Sequence, residues 1–143
     1  MREVAPLIAG VLDEIVGLRH EIHENPELLY EESGTAERVL KHIGEIEGLE
    51  IRTGVAETGI VATLGSDKKG PCVALRADMD ALPIEETSDV PYKSKVPGKM
   101  HACGHDGHTS CLVGAVKVLS ELRDELVGPV KFIFQPAEEG GAG

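Results

Sequence analysis

The chain has 143 residues, enough for one domain with a hydrophobic core, and its 41% apolar content is ordinary for a globular protein. Its formal net charge of -11 argues against nucleic acid and anionic membrane surfaces as partners, because proteins that bind them present basic surfaces. The sequence has neither the features of a signal peptide nor an apolar stretch of transmembrane length, and its three cysteines lack the spacing of a disulfide framework. These observations favour the reducing cytoplasm.

Two amphipathic helices are predicted at the N-terminus. Apolar residues recur every three or four positions between 8 and 22, which indicates a helix over residues 4–24. A second helix is predicted from Ser33 or Thr35, either of which could cap it. Several polar residues in this part and in the loop after residue 83 are interpreted as surface or packing histidines and as solvated carboxylates. They are His20, His23, His42, Glu24, Glu27, Glu31, Glu32, Glu85 and Glu86.

The middle of the chain has the pattern of strands. Residues 49–55 and 59–64 are strand candidates, and residues 72–75 form a near-continuous apolar run typical of a strand buried on both faces. Turn chemistry at residues 66–70 predicts that 59–76 are two strands in an antiparallel hairpin.

The C-terminal part adds a loop, a helix and a strand. Residues 83–99 are predicted to form an irregular loop, residues 108–126 a helix and residues 130–134 a strand. Helices and buried strands together predict an α/β fold in which helices pack on a mostly buried mixed sheet.

Residues 100–109 carry one thiol, three imidazoles and one carboxylate. Cys103 and His105 lie two residues apart just before the predicted helix, where a glycine-containing loop can aim both side chains at one ion. Sulfur and imidazole nitrogen suit zinc and neighbouring first-row metals. The alternative is a buried free cysteine and a capping histidine. We favour a metal site, because burying so many polar groups without partners is costly.

Carboxylates follow two predicted strands. Asp78 and Asp80 come directly after the apolar run, and Glu138 and Glu139 follow the last strand. One carboxylate of such a pair can hold a metal while the other takes a proton from water. Both glutamates reach one site only if the chain bends, which Gly140 and Gly141 permit. The alternatives are a loop-capping aspartate and a solvated acidic loop.

Four stretches together resemble one enzyme family. Residues 18–28, 74–83, 100–109 and 134–140 occur in the order found in the metal-dependent amidohydrolases. That family includes N-acyl-amino-acid amidohydrolase, hippurate hydrolase and the indole-acetyl-amino-acid hydrolases, within the aminoacylase and carboxypeptidase clan of dinuclear metallopeptidases. Any one stretch is unspecific, and the specificity lies in their combination.

The resemblance implies a role for each matching residue. Cys103, His105 and Glu139 are expected to be metal ligands, Glu138 the general base and Asp80 the residue that orients the metal site. Two divalent ions, which could be zinc, manganese, cobalt or nickel, are expected in the complete enzyme. Four further residues are expected to support the ligands without binding metal: Asp78, His101, Asp106 and His108.

Relatives of this kind continue beyond the Glu-Glu-Gly motif. They take two more metal-binding histidines from downstream sequence and have a smaller domain for dimerisation. Residues 1–143 are therefore expected to be the incomplete N-terminal portion of the catalytic domain, and the full-length form is expected to be a homodimer.

The leading hypothesis is metal-dependent hydrolysis of the amide bond of N-acyl amino acids or similar peptide-like small molecules, with Glu138 as the general base. The alternative is a truncated, non-catalytic fragment that at most binds a metal. A thiol redox protein using Cys103 is disfavoured, because the sequence has no Cys-x-x-Cys pattern.

Overall fold

The computed structural model of the protein describes residues 2–141. Its helices are α1 (Val4–Glu24), α2 (Ser33–Ile43) and α3 (His105–Glu121), and its strands are β1 (Leu49–Val55), β2 (Gly59–Leu64), β3 (Val73–Asp78) and β4 (Val130–Gln135). Single turns of 3-10 helix lie at Arg123–Glu125 and Glu138–Gly140. The predicted α/β class is confirmed. Within residues 2–141, none of the helices has both the length and the apolar character needed to cross a bilayer.

The four strands form one mixed sheet in the order β1-β2-β4-β3. β2 is antiparallel to both β1 and β4, whereas β3 runs parallel to β4. Alternate residues of β2 and β4 are buried, which gives the sheet one apolar face. That face contributes to a single core with the apolar stripes of the helices. The most deeply buried members include Leu18, Ile22, Val39, Ile43, Ile60, Leu64, Val113, Val116, Phe132 and Phe134.

The predicted hairpin over residues 59–76 is wrong. A turn does follow β2, with the Lys68 N–H donating to the Gly65 carbonyl at 3.0 Å. The strand after it does not pair with β2, because β4 lies between them. Turn chemistry specifies where the chain reverses but not which strand becomes its neighbour. Here the crossover through α3 returns β4 beside β3, as parallel pairing requires.

The expectation that residues 72–75 are buried on both faces is also wrong. β3 is an edge strand among residues 2–141, and the Val73 side chain is 54% exposed. Only its last two residues, Ala77 and Asp78, are buried. A short apolar run predicts a strand, but periodicity alone does not distinguish a central strand from an edge strand.

Two helix starts differ from the prediction. Neither Ser33 nor Thr35 caps α2 with its side chain. The carboxylate of Glu27 does so from outside the helix, accepting the N–H groups of Gly34 and Thr35 at 3.0 and 2.6 Å. α3 begins at His105, three residues earlier than predicted, after Gly104 with a left-handed φ of 80°. His105 is therefore on the rigid helix rather than in the loop.

The sheet places the carboxylate motifs side by side. Because β3 and β4 are parallel and in register, Asp78 lies opposite Gln135 at the carboxyl end of both strands. The Met79 N–H continues this pairing by donating to the Gln135 carbonyl at 2.9 Å. The Thr109 hydroxyl of α3 donates to the Asp78 carbonyl at 2.7 Å. The carboxyl ends of the two parallel strands thus meet the N-terminus of α3, where functional groups collect in open α/β sheets.

The segments that lead into β3 and β4 contact each other so closely that only glycine fits. A Cβ atom on Gly128 would lie 2.2 Å from the Pro71 carbonyl oxygen, which is backbone and has no freedom to rotate away. We expect Gly128→Ala to destabilise the protein by about 1–3 kcal/mol. Urea denaturation measures the change.

Gly10 provides the matched control, because a Cβ there would meet nothing within 4 Å in the middle of α1. Gly10→Ala is expected to stabilise the protein by about 0.5–1 kcal/mol through helix propensity. Equal stabilities of the Gly128 variant and the wild type would contradict the close packing of these segments.

Candidate metal centre

His105 lies at the centre of the site. Its Nδ1–H donates to the backbone carbonyl of Asp80 at 2.9 Å, and the Asp80 carboxylate is 3.3 Å from the same nitrogen. This contact leaves Nε2 as the ring nitrogen that faces the other side chains of the site. Nε2 lies 3.6 Å from Asp78 Oδ1, 3.8 Å from Glu139 Oε1 and 3.9 Å from Glu138 Oε2. The geometry therefore presents one ring nitrogen to three carboxylates.

Cys103, His105 and Glu139 form a compact set of metal donors. Their Sγ, ring nitrogen and carboxylate oxygen all lie within 4.8 Å of one another. A hydrogen bond to Glu139, slight burial and the negative charges of Glu139, Glu138 and Asp78 raise the pKa of the Cys103 thiol. A cation bound between these groups would have the opposite effect, because it stabilises the thiolate.

The donor set fits a divalent metal ion. Among residues 2–141, the buried Oε1 atom of Glu139 has no hydrogen-bond partner. An unpaired buried carboxylate oxygen is costly unless a cation or another donor faces it. A thiol, an imidazole and a carboxylate are donors that zinc and its first-row neighbours accept. The orphaned oxygen therefore lies where a metal ion would satisfy it.

A backbone bend at Ala137 brings both glutamates to His105. Ala137 has a left-handed φ of 54°, which is uncommon for a residue with a Cβ. Its N–H donates to Glu32 Oε1 at 2.9 Å, and the other Glu32 oxygen accepts the Thr58 hydroxyl at 2.6 Å. The bend thus precedes the pair, whereas the sequence analysis looked to Gly140 and Gly141, which follow it, to permit a bend. The prediction of a solvated Glu32 is wrong, because its side chain is fully buried and holds this bend.

Asp80 connects the two halves of the donor set. Besides its contacts to His105, its Oδ2 accepts the backbone N–H of Glu139 at 2.9 Å. Asp80 is 1% exposed, so these contacts are shielded from water. One residue therefore fixes the position of an imidazole and of the chain segment that carries a carboxylate.

Asp78 and His108 lie on the open side of His105. Asp78 Oδ1 is 2.7 Å from His108 Nδ1, and Oδ2 is 3.2 Å from the Arg76 guanidinium. Burial by itself raises the pKa of Asp78, but the hydrogen bond with His108 and the nearby His105 together hold that pKa below its usual value. Asp78, His105 and His108 have donor atoms within 4.8 Å of one another. Existing partners thus occupy both Asp78 oxygens.

Asp106 and His101 lie on the closed side of the site. Asp106 Oδ2 is 2.8 Å from Arg19 Nε and 2.7 Å from His23 Nδ1. His101 is 4% exposed, and within residues 2–141 neither of its ring nitrogens has a partner. Burial lowers the pKa of His101 to about 4. Both residues therefore surround the donor set without offering it an exposed ligand atom.

Sequence reasoning missed a buried polar cluster next to these residues. His23 is 4% exposed and Glu86 is 3% exposed, so the expectations of a surface or packing histidine and a solvated carboxylate fail for this pair. His23 Nε2 lies 3.2 Å from Glu86 Oε1. One signal was present in the sequence: Arg19 and His23 are four residues apart beside the apolar stripe of α1, so they project from one helix face.

The chain is similar in sequence to known proteins. The sequence model of peptidase family M20/M25/M40 matches residues 74–143. IAA-amino acid hydrolase ILR1-like 5 of Arabidopsis thaliana is 54% identical over 92% of this chain and 30% of its own length. N-acetyl-L-cysteine deacetylase of Bacillus subtilis (strain 168) is 48% identical over 91% of this chain and 31% of its own length.

A solved structure carries the same fold. The YXEP protein of Bacillus subtilis, described as a dinuclear metal binding peptidase from the M20 family, superposes with a TM-score of 0.83 and 43% identity. The match covers 89% of this chain and 35% of that one. The chain thus spans about a third of the length of the relatives it matches. From its motifs, its site geometry and these matches, the chain belongs to peptidase family M20/M25/M40.

Proposed function

We propose that this chain carries part of the active site of a metal-dependent hydrolase that cleaves the amide bond of N-acyl amino acids or similar small amides. The observation that carries the proposal is the convergence of Cys103, His105, Glu138 and Glu139 at one sheet edge. The names of the relatives support the reaction class, since they include an amino acid conjugate hydrolase and a deacetylase.

The roles of the four residues follow from their chemistry and exposure. Cys103, His105 and Glu139 would hold the ion, for which zinc, manganese, cobalt and nickel are the candidates. When bound, such an ion polarises the amide carbonyl and lowers the pKa of water. The side chain of Glu138 is 40% exposed and that of Glu139 is 20% exposed, so Glu138 is the carboxylate more open to water and substrate.

Glu138 is proposed as the general base. Its Oε2 lies 3.9 Å from His105 Nε2, so a water beside the proposed metal position is within reach of this carboxylate. After taking the proton from the attacking water, Glu138 can return it to the leaving amine. Asp80 is proposed to hold His105 and Glu139 in place throughout, through contacts that do not involve substrate.

Replacing Glu138 by Gln keeps its size and removes its basicity. We expect turnover of N-acetyl amino acids or hippurate by the full-length protein to fall by about 10²–10⁴-fold, with metal content unchanged. Steady-state kinetics and metal analysis check this. Glu37→Gln, at an exposed position of α2, is the control. Normal turnover of the Glu138 variant would reject this residue as the base.

Replacing Cys103 by Ser removes the proposed sulfur ligand. Metal affinity should fall by more than the roughly 10–100-fold that loss of a supporting contact costs. Cys72→Ser is the matched control, since Cys72 is also an exposed free thiol but lies before β3, away from the donor set. Titration with Co²⁺ measures both variants. Equal affinities of the two variants would place the metal elsewhere.

Residues 1–143 are proposed to be the N-terminal portion of the catalytic domain, with further ligands and a dimerisation domain in other parts of the full-length protein. The share of about a third of the relatives' length supports this. The intact mass of the protein from its source tests it. A mass of 15.2 kDa would favour a non-catalytic fragment that at most binds metal, whereas a much larger mass would support the proposal. Sedimentation of the same sample would test the homodimer.

A reducing compartment, the cytoplasm, is part of the proposal. Cys72, Cys103 and Cys111 are free, exposed thiols. A cysteine that binds a metal does so as a reduced thiolate, and reducing compartments preserve that state.

A further inference from the structure

We propose that His23 is a positively charged positioning residue whose imidazolium bridges Asp106 and Glu86 and thereby fixes both flanks of the segment from Cys103 to His105. The proposal rests on the proposed metal site for its functional meaning. Its structural basis is a cluster of four side chains outside the donor set: the buried His23, Glu86 and Asp106, and the partly exposed Arg19.

The hydrogen-bond geometry assigns the charge of His23. Its Nδ1 lies 2.7 Å from Asp106 Oδ2, and its Nε2 lies 3.2 Å from Glu86 Oε1. An ionised carboxylate only accepts hydrogen bonds, so each ring nitrogen has to carry a proton to satisfy its partner. A histidine with two N–H groups is an imidazolium. Arg19 has its Nε 2.8 Å from Asp106 Oδ2 and its Nη2 3.4 Å from His23 Nδ1, so the much shorter 2.7 Å contact to Asp106 is the one that directs the Nδ1 proton. The imidazolium and the guanidinium together balance the charges of two buried carboxylates.

Glu86 is held as a carboxylate by several donors. Burial by itself raises the pKa of Glu86, but hydrogen bonds from the Ser88 hydroxyl, the Ser94 N–H and His23 lower it to about 2. The Ser88 and Ser94 contacts are 2.5 and 2.7 Å long. Glu86, Ser88 and Ser94 all belong to the irregular segment between β3 and α3. The Glu86 carboxylate therefore cross-links three positions of that segment by hydrogen bonds. The contact of His23 with Glu86 then joins the segment to α1.

The two contacts of His23 reach the two flanks of the segment from Cys103 to His105. Asp106 is the second residue of α3 and directly follows His105. Glu86 belongs to the segment that precedes Cys103 in the chain. The bridge between Leu82 and Met100 ties the start of that segment to the residues just before Cys103. The imidazole therefore restrains the residues before Cys103 and the residue after His105 at the same time. Fixing both flanks limits how far the two proposed ligands can separate.

Aromatic contacts reinforce the same attachment. Tyr92, in the segment before the loop, stacks on His20 with ring centroids 3.9 Å apart and meets the edge of His23 at 5.5 Å. The Arg19 guanidinium carbon lies 4.6 Å from the Tyr92 ring centroid, within the range of a cation–π contact. The last turns of α1 thus hold the segment by packing as well as by charge.

Comparing His23→Gln with the double variant His23→Gln/Glu86→Gln distinguishes an effect of charge from an effect of packing. The single change removes the cation and leaves the Glu86 carboxylate buried beside an amide, which is unfavourable for a buried ion. In the double variant, the new amide at position 23 can donate to Asp106 and accept from the new amide at position 86, so a neutral pair replaces the charged one. A loss caused by uncompensated charge is recovered in the double variant, whereas a loss of imidazole packing is not.

We expect three results in the full-length protein. His23→Gln lowers Co²⁺ affinity by roughly 10–100-fold and alters the Co²⁺–thiolate absorption spectrum. Adding Glu86→Gln to His23→Gln recovers most of the lost Co²⁺ affinity. In the metal-free protein, His23→Gln speeds hydrogen exchange at the amide of Gly104, which ends the loop, and at those of Gly107 and His108 in the first turn of α3. His42→Gln is the control, because His42 also pairs with a carboxylate, Glu14, but on the surface between α1 and α2.

The wild-type protein provides a test that needs no variant. Long-range ¹H–¹⁵N NMR distinguishes an imidazolium from a neutral imidazole, because the two ring nitrogens of the cation have similar shifts. A neutral His23 would overturn the proposal even if His23→Gln failed to fold. Unchanged Co²⁺ affinity, spectrum and amide exchange in His23→Gln would overturn it as well. If the wild type bound no Co²⁺, the proposed metal function would fail, while NMR and amide exchange would still decide the role of His23.

Discussion

One hydrogen bond determines the geometry of the candidate site: His105 Nδ1–H donates to the Asp80 carbonyl, 2.9 Å away. It joins the segment after β3 to the first residue of α3 and selects the tautomer in which Nε2 faces the carboxylates. The Asp80 side chain accepts the Glu139 N–H in the same place. The parallel pairing of β3 with β4 makes this possible, since it brings the carboxyl ends of both strands to the same end of the sheet. The relative positions of the proposed ligands depend on these contacts.

Negative charge is balanced in different ways on the two sides of His105. On the closed side, Arg19 and His23 lie within 2.8 and 2.7 Å of Asp106 Oδ2 and His23 within 3.2 Å of Glu86, although the buried Asp106 Oδ1 has no partner among residues 2–141. On the open side, Asp78, Glu138 and Glu139 surround Nε2, and the buried Glu139 Oε1 has no partner among residues 2–141. A chain with a net charge of -11 thus concentrates unbalanced charge where a divalent cation would stabilise it.

The buried polar residues show why part of the site was not predictable. Glu32, Glu86 and His23 lie in sequence that is typical of a solvated surface, yet all three are buried. Their partners are distant in the chain: Glu32 binds Ala137 across 105 residues, and His23 binds Asp106 across 83. A carboxylate or imidazole tolerates burial only when such a partner is in place. No local pattern reveals whether the partner will arrive.

The sequence by itself determined the type and order of the helices and strands and the α/β class, and it singled out the candidate donors Cys103, His105 and Glu139 and the candidate base Glu138. Periodicity and donor chemistry are properties of short segments, so they can be read without the fold. Only the tertiary structure decided that β4 lies between β2 and β3, that the chain bends at Ala137, and that His23 is buried between two carboxylates. Strand pairing and charge compensation join residues that are far apart in the chain, and their free energy depends on which partner is present.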